Sequence, residues 1–289
     1  MLEELAPAKV NLALAVLGVR EDGYHEVDTV MHSIELSDSV YLSAADDTVF
    51  SCDKLDIPCG PGNLAYDALQ LMRRYTGRRD GVRIDLRKRI PHGAGLGGGS
   101  TDAAAVLRGL NRLWKLGLSP SELRWLARQL GTDTIFCLAG GAARGTGRGD
   151  VLQALPPLPP TELVLVRPPV TVATAHAYQA YDQAKRTGAV DVTGMVNALR
   201  EGAVGMVSRR LGNVFESVLL ADMPALAEVK HAARKMGLPV LMSGTGSAFF
   251  IVAESARESR HIARRLQERY PSWQVWCTRT RGEMIDEEE

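Results

Sequence analysis

The segment Pro91-His92-Gly93-Ala94-Gly95-Leu96-Gly97-Gly98-Gly99-Ser100-Thr101 constrains this chain more than any other. Five of the seven residues from Gly93 to Gly99 are glycine. Glycine enters positive φ freely and lets a ligand come close to backbone amides. An alanine-rich pattern follows, with Ala103, Val106, Leu107, Leu110, Leu113 and Trp114 on one helical stripe. The partly positive start of that helix, with its unpaired N–H groups, faces the loop. Loop and helix start together make a phosphate-binding device. Ser100 and Thr101 add hydroxyls that can meet a phosphate, a magnesium ion or only the helix backbone. The plainer reading is a flexible loop that caps a helix, and the density of glycines beside Ser-Thr weighs against it.

Two familiar phosphate loops compete for this segment. A Walker loop needs lysine after its last glycine, and none is present. A dinucleotide fingerprint is literally there as Gly93-x-Gly95-x-x-Gly98. That turn, however, follows its strand directly and leads through one helix to a strand ending in an acidic residue. Here Lys88-Arg89-Ile90-Pro91 separates the strand from the loop, and a second helical pattern follows the first. A dinucleotide-binding oxidoreductase is therefore kept only as an alternative.

Elsewhere the periodicity mixes strands and helices without strict alternation, which predicts an α+β chain. Lys9 to Val19, Thr29 to Leu36 and Asp38 to Ser43 read as strands, with Arg20 to His25 as a turn. Leu64 to Tyr75 reads as a helix and Val82 to Leu86 as a half-buried strand. Ser119-Pro120-Ser121-Glu122 is a capping box whose helix stops at Gly131. Leu155-Pro156-Pro157-Leu158-Pro159-Pro160 can continue neither a helix nor a central strand. It predicts a seam between an N-terminal domain, 1–157, and a C-terminal domain, 158–289. Beyond it, strands are expected at Glu162 to Val166, Phe249 to Ala253 and Trp273 to Thr278. Helices are expected at Thr174 to Lys185, Leu226 to Met236 and Ala256 to Tyr270, and the tail Asp286-Glu287-Glu288-Glu289 reads as solvated.

Composition removes several function classes. Thirty-four basic residues balance thirty-four acidic ones, leaving no global field for nucleic acid or an anionic membrane. Cys52, Cys59, Cys137 and Cys277 form no C-x-x-C pair and no zinc spacing with histidine, so they read as isolated reduced thiols. The N-terminus lacks the basic start and apolar run of a signal peptide, and no stretch has the ~18 apolar residues of a membrane helix. A cytoplasmic protein is expected.

The glycine segment, continued by Asp102-Ala103-Ala104-Ala105, resembles the second motif of the GHMP kinases, the superfamily of galactokinase, homoserine, mevalonate and phosphomevalonate kinases. The specificity is high because residue types match through a long continuous stretch. Ala6-Pro7-Ala8-Lys9-Val10-Asn11-Leu12 resembles the first motif of the diphosphocytidyl-methylerythritol kinases within that superfamily. Gly23-Tyr24-His25-Glu26 is similar to an element of the same subfamily that other members do not generally share. Leu241-Met242-Ser243-Gly244-Thr245-Gly246-Ser247 resembles the third motif, and Gly131-Thr132-Asp133 falls where the family carries its catalytic aspartate. Thr174 and Tyr178 are smaller matches. Two positions depart. Thr134-Ile135 stands where Val-Pro is usual, which bears on the turn holding Asp133, and Val214 replaces an aspartate after Asn213.

The resemblance implies a two-domain GHMP kinase fold. Its parts are an N-terminal ribosomal-protein-S5-domain-2-like domain and a C-terminal ferredoxin-like α/β plait. It implies an ATP- and magnesium-dependent kinase for a small molecule, working as a monomer or weak homodimer. Asp133 would be the base and Lys9 its cationic partner. Pro91 to Thr101 would hold the ATP phosphates, with Ser100 as a magnesium or β-phosphate contact. Asn63, Lys88 and Asn111 match positions on the adenine side. Asn11, Tyr24, His25 and Asp133 match the substrate side, where Tyr24 and His25 fit a cytidine. Another GHMP substrate, homoserine or mevalonate, is the nearer alternative. Taken without the resemblance, Asp133 reads as an N-cap, Lys9 as a solvated lysine, Tyr24 as a turn tyrosine and His25 as a surface histidine.

Overall fold

The computed structural model describes residues 1–184 and 188–282. Two long strands open the chain, β1 (Leu2–Val19) and β2 (His25–Ala44), and they pair antiparallel along nearly their whole length. The sequence reading split this ladder into three shorter strands. β2 in fact continues through Ile34 to Asp38: Ser37 and Asp38 pair with Pro7 and Ala6 of β1, Ile34 bridges to Thr280, and Leu36 N–H donates to Thr278 Oγ1 at 3.0 Å. The β1–β2 register shifts between Pro7 and Lys9, between Asn11 and Ala13, and between Val16 and Gly18. Such bulges re-aim side chains. Here they bracket Lys9 and Asn11, which share one face of the strand.

β3 (Val49–Cys52) and β4 (Val82–Arg87) extend the sheet at the far half of β2, with helix α1 (Leu64–Thr76) between them. Helix α2 (Gly98–Leu113) follows the glycine loop and packs on β1 and α1. Helix α3 (Pro120–Leu130) starts at the expected capping box, with both reciprocal bonds of Ser119 and Glu122 formed. Helix α4 (Thr132–Ala139) begins at once after Gly131. The hairpin β5 (Ala142–Thr146) and β6 (Val151–Leu155) closes on the near half of β2. One apolar core lies between this sheet and its helices, around Leu42, Ile84, Leu107, Leu110 and Phe136.

The second sheet contains β7 (Glu162–Arg167), which starts the C-terminal part. Helices α5 (Thr174–Gln183), α6 (Val192–Arg200) and α7 (Val204–Arg210), the short strand β8 (Gly212–Asn213) and helix α8 (Glu216–Asp222) follow. Then come α9 (Pro224–Lys235), β9 (Val240–Met242), β10 (Phe249–Ala253), α10 (Ala256–Arg269) and β11 (Gln274–Arg279). The four antiparallel strands lie in the order β11-β7-β10-β9. With α9 and α10 packed on them, this is the ferredoxin-like plait. The expected end of α5 at Lys185 and the acidic tail lie outside the described residues.

The two sheets are tied together. β8 pairs in parallel with β1, and α6 packs on β1 and β2. A second apolar core joins Val10, Leu12 and Ile34 of the first sheet to Leu165 and Phe250 of the second. Across the proline-rich seam, buried His32 accepts the Leu158 N–H at 2.9 Å on Nε2 and donates from Nδ1 to the Ser33 carbonyl at 2.8 Å. Burial pushes this imidazole below its ordinary pKa, against the opposing pull of the Ser33 carbonyl, so the ring serves as a neutral bridge.

Candidate active site

The glycine loop runs over β1 and against the turn between β9 and β10. Lys9 N–H donates to the Leu96 carbonyl at 3.0 Å, and Ala248 N–H donates to the Ala94 carbonyl at 3.1 Å. Ser243 Oγ donates to the Gly95 carbonyl at 2.9 Å and receives the Asn11 N–H at 3.3 Å. Motifs that lie about 150 and 230 residues apart thus meet on one patch of backbone. Gly93, Gly95 and Gly97 all sit at positive φ. Gly97 caps α2 with no side-chain bond to the first N–H groups, which are left for a ligand.

A cavity of about 230 Å³ opens at this junction. It is lined by Gly93, Gly95 and Gly97 from the loop, by Lys9 and Asn11 from β1, and by Thr132 and Asp133 from the start of α4. Gly244, Thr245 and Gly246 close it from the third motif, and Thr174, Tyr178 and Phe215 from the C-terminal half. Two helix N-termini, those of α2 and α4, therefore face one space without side-chain caps. That arrangement suits an anion.

Lys9 is the buried charge at the centre. Its residue is 3% exposed, and its Nζ lies 3.2 Å from Asp133 Oδ2 and donates to Asn11 Oδ1 at 2.8 Å. Asn11 in turn donates from Nδ2 to Thr29 Oγ1, whose hydroxyl donates to the Ala13 carbonyl, both at 2.8 Å. Asp133 remains more accessible, with 38% of its side chain exposed. The pair thus presents a carboxylate to the cavity and a lysine locked beneath it. The Thr134-Ile135 departure leaves this intact, since both residues are buried in the first turn of α4 and Asp133 stays against Lys9.

Two neighbours are held neutral by this environment. Burial pushes the Cys137 thiol up to about 12, helped by the Asp133 charge, so it is an inert packing group under Gly97. The Tyr178 phenol is likewise pushed up to about 12, by burial first and Asp133 second.

Tyr24 and His25, expected on the substrate side, lie outside the cavity lining. Tyr24 is 53% exposed, and the Arg148 guanidinium lies over its ring, 3.6 Å from the centroid. His25 is packed 4.5 Å from the Tyr178 ring and bonded to Asp182 at 2.7 Å.

Asn63, Lys88 and Asn111 do not line the cavity either, and each is held by its own chain. Asn63 caps α1, accepting from Ala65 N–H at 3.0 Å and donating to the Pro58 carbonyl at 2.8 Å. Asn111 closes a loop by accepting the Leu118 N–H at 2.9 Å and donating to the Leu118 carbonyl at 3.1 Å. Buried Lys88 bridges Asp38 and Asp102, and Asp38 also accepts the N–H groups of Arg89 and Ile90. Burial opposes the charge on Lys88, but the two carboxylates raise its pKa overall. The bridge anchors the lead-in of the glycine loop to α2. Ser100 has intermediate exposure at the start of α2, and Thr101 is fully buried with an unpartnered hydroxyl.

Cavity-lining residues that the sequence reading did not single out include Thr29, Arg148, Gly149 and Phe215, with the apolar Leu14, Val27 and Val172 beside them. Arg148 carries a local signal, the glycine-flanked turn Gly147-Arg148-Gly149 of the β5–β6 hairpin.

The sequence model described as "GHMP kinases N terminal domain" matches residues 63–141, and "GHMP kinases C terminal" matches residues 195–272. The chain belongs to the GHMP kinases. It is thus an α+β small-molecule kinase, and GHMP kinases take ATP as phosphoryl donor. It is 43% identical over 283 residues to the 4-diphosphocytidyl-2-C-methyl-D-erythritol kinase of Pelotomaculum thermopropionicum, covering 97% of this chain and 98% of that protein. It is 42% identical over 252 residues to the protein of the same name from Bacillus subtilis, covering 86% of each. A crystal structure of 4-(cytidine 5'-diphospho)-2C-methyl-D-erythritol kinase superposes with a TM-score of 0.83 at 38% identity, covering 98% of this kinase and 100% of that chain. A homoserine kinase from Cytophaga hutchinsonii, at 21% identity and a TM-score of 0.75 over 98% of this kinase and 96% of that chain, shares the fold. No helix among the described residues is long and apolar enough to cross a membrane.

Proposed function

We propose that this kinase transfers the γ-phosphate of ATP to the 2-hydroxyl of 4-diphosphocytidyl-2-C-methyl-D-erythritol. The products are the 2-phosphate and ADP, on the non-mevalonate route to isoprenoid precursors. The carrying observation is that Lys9, Asn11 and Asp133 meet two uncapped helix starts in one cavity. They do so in a chain matched along 97% of its length by a kinase of that name. Homoserine and mevalonate kinases share the fold at 21% and 14% identity and give no comparable reason to choose their substrates.

In this reading residues 1–157 and 158–289 are the two halves that close on substrate. The free N–H groups of the glycine loop and of α2 take the ATP phosphates. Asp133 accepts the proton of the attacking hydroxyl or orients it, and Lys9 holds Asp133 in place and balances charge on the transferring phosphoryl. Asn11 bonds the substrate near its reacting end. No three acidic, histidine or cysteine side chains cluster as a metal cage among the described residues. That fits magnesium, which keeps waters and is bound chiefly through substrate phosphates. The Ser100 hydroxyl at the helix start is the protein ligand offered to it. Magnesium, when bound, neutralises phosphate charge. Asn63, Lys88 and Asn111 shape the adenine side by holding the backbone around it.

Tyr24 offers the cytosine an exposed aromatic face, with Arg148 on the other. Tyr24→Ala is expected to raise KM for the cytidine substrate by about tenfold or more, as a lost base–aromatic stack does, while KM for ATP stays unchanged. Steady-state kinetics against each substrate check this. Equal losses for both substrates would make Tyr24 a structural residue.

A further inference from the structure

The substrate-side rim contains a carboxylate that none of these roles employs. Asp182, near the end of α5, places Oδ1 2.7 Å from His25 Nε2 and spans the two halves of the molecule. We propose that Asp182 is a positioning residue that sets how His25 reads the substrate's base. It keeps the ring proton on Nε2, so that Nδ1 accepts from the C4 amine of cytosine. The inference rests on the cytidine reading above.

A carboxylate can only accept a hydrogen bond, so the contact with Asp182 requires a proton on His25 Nε2. In the neutral imidazole the other nitrogen is then an acceptor. Nδ1 has no hydrogen-bond partner among the described residues.

The ring is also fixed in space. Its centroid lies 4.5 Å from that of Tyr178 at an interplanar angle of 31°, and Tyr181 meets it edge-on at 6.4 Å. Tyr178 and Asp182 are four residues apart and so share a face of α5. That helix is itself tied to the first sheet, because the Tyr181 hydroxyl donates to the Val16 carbonyl at 3.0 Å. Phe215 backs both tyrosines, at 4.9 and 6.2 Å. The imidazole is thus clamped on one face, bonded at one nitrogen and left with one free acceptor.

Cytosine and uracil differ at that spot. Cytosine carries an amine on C4, which donates. Uracil carries an oxygen, which would face the Nδ1 lone pair with no proton between them. A site built to bond a donor rejects an analogue lacking it far more strongly than a site that only fills space. Asp182 would therefore act on specificity while touching no substrate atom.

The test uses the full chain at pH 8 with cytidine- and uridine-linked diphosphate-methylerythritol. Asp182→Asn offers an amide that can donate as well as accept, so it frees the ring to move its proton to Nδ1. The variant is expected to raise KM for the cytidine substrate by about tenfold and to lower the cytidine-over-uridine preference by at least as much. Its kcat and KM for ATP should stay unchanged, and Asp182→Glu should recover part of the preference. Ring ¹⁵N NMR of the free wild-type protein should show His25 protonated at Nε2, with Asp182→Asn shifted toward the other tautomer. Wild-type protein that ignores the cytidine substrate would overturn the functional reading and this inference together. Normal turnover with an Nδ1-protonated wild-type ring, or with an unchanged preference in Asp182→Asn, would overturn this inference alone.

Discussion

Replacing Asp133 by asparagine is expected to cut kcat by about 10²–10⁴-fold, the range for loss of a general base, while leaving the fold and KM for ATP close to wild type. The structure separates these effects. Asp133 sits in the first turn of α4 with 38% of its side chain exposed, so an isosteric amide disturbs no packing. Lys9 keeps its bond to Asn11 Oδ1 at 2.8 Å, and the asparagine oxygen can still accept from it. The N–H groups proposed to hold the ATP phosphates belong to α2 and the glycine loop, which do not depend on the Asp133 charge. What disappears is the Asp133 carboxylate, the base that the proposed reaction requires at this cavity. Thermal melting and ATP titration should therefore match wild type while ADP production collapses. Near-normal turnover in this variant would remove Asp133 from the chemistry.

Gly95→Ala should have an equally large effect by a different route. A Cβ at Gly95 would fall 2.1 Å from the Ser243 carbonyl oxygen and 3.1 Å from that of Gly246. Both obstacles are backbone, so no side chain can rotate away. The residue also sits at φ +75°, where an L side chain costs ~1–2 kcal/mol before any clash. Strain and overpacking together should destabilise the protein by about 3 kcal/mol or more. For a chain of this size that is roughly 6–12 °C in Tm. The loop can relieve the clash only by lifting off the third motif, which moves its N–H groups and should raise KM for ATP. Gly99→Ala is the stability control. Its Cβ would meet only Leu64 Cδ1 at 3.5 Å, and Gly99 lies in the helical first turn with no positive φ. Equal melting temperatures for the two variants would contradict the docking of the loop on Ser243.

What the sequence allowed to be read divides along physical lines. Elements with strong periodicity and local punctuation were legible. α1 runs from its Asn63 cap to Gly77, α3 starts at its capping box, and β7, β10 and α10 fall where expected. The continuity of β2 was not, because Leu36, Ser37 and Asp38 break the alternation and are held by contacts distant in sequence, Ser37 and Asp38 by β1 and the Leu36 N–H by Thr278 Oγ1. The β5–β6 hairpin was missed because Ala-Ala-Arg-Gly-Thr carries little strand signal of its own. α4 was missed for a related reason. Gly131 ends α3 and starts α4 in one residue, so the aspartate read as following a helix instead opens the next one.

At the site, the glycine loop was visible as a local run of glycines. The links that give it shape were not. Lys88 matched an adenine-side position in the sequence, yet its charge is taken up by Asp38, fifty residues away, and by Asp102. Ser243 gains its role only by meeting Gly95 and Asn11 across the molecule. His25 and Asp182 are 157 positions apart, and no spacing rule connects them. Val214, in place of an aspartate, sits at 4% exposure in the C-terminal core and leaves Asn213 bonded to the Met242 and Gly244 carbonyls. The third-motif turn is thereby held despite the departure.

The most direct test of the account is the rate of ADP release with ATP, magnesium and 4-diphosphocytidyl-2-C-methyl-D-erythritol, set beside homoserine, mevalonate and galactose. The account predicts turnover with the cytidine substrate and background rates with the other three. Turnover with one of those three and none with the cytidine substrate would contradict it.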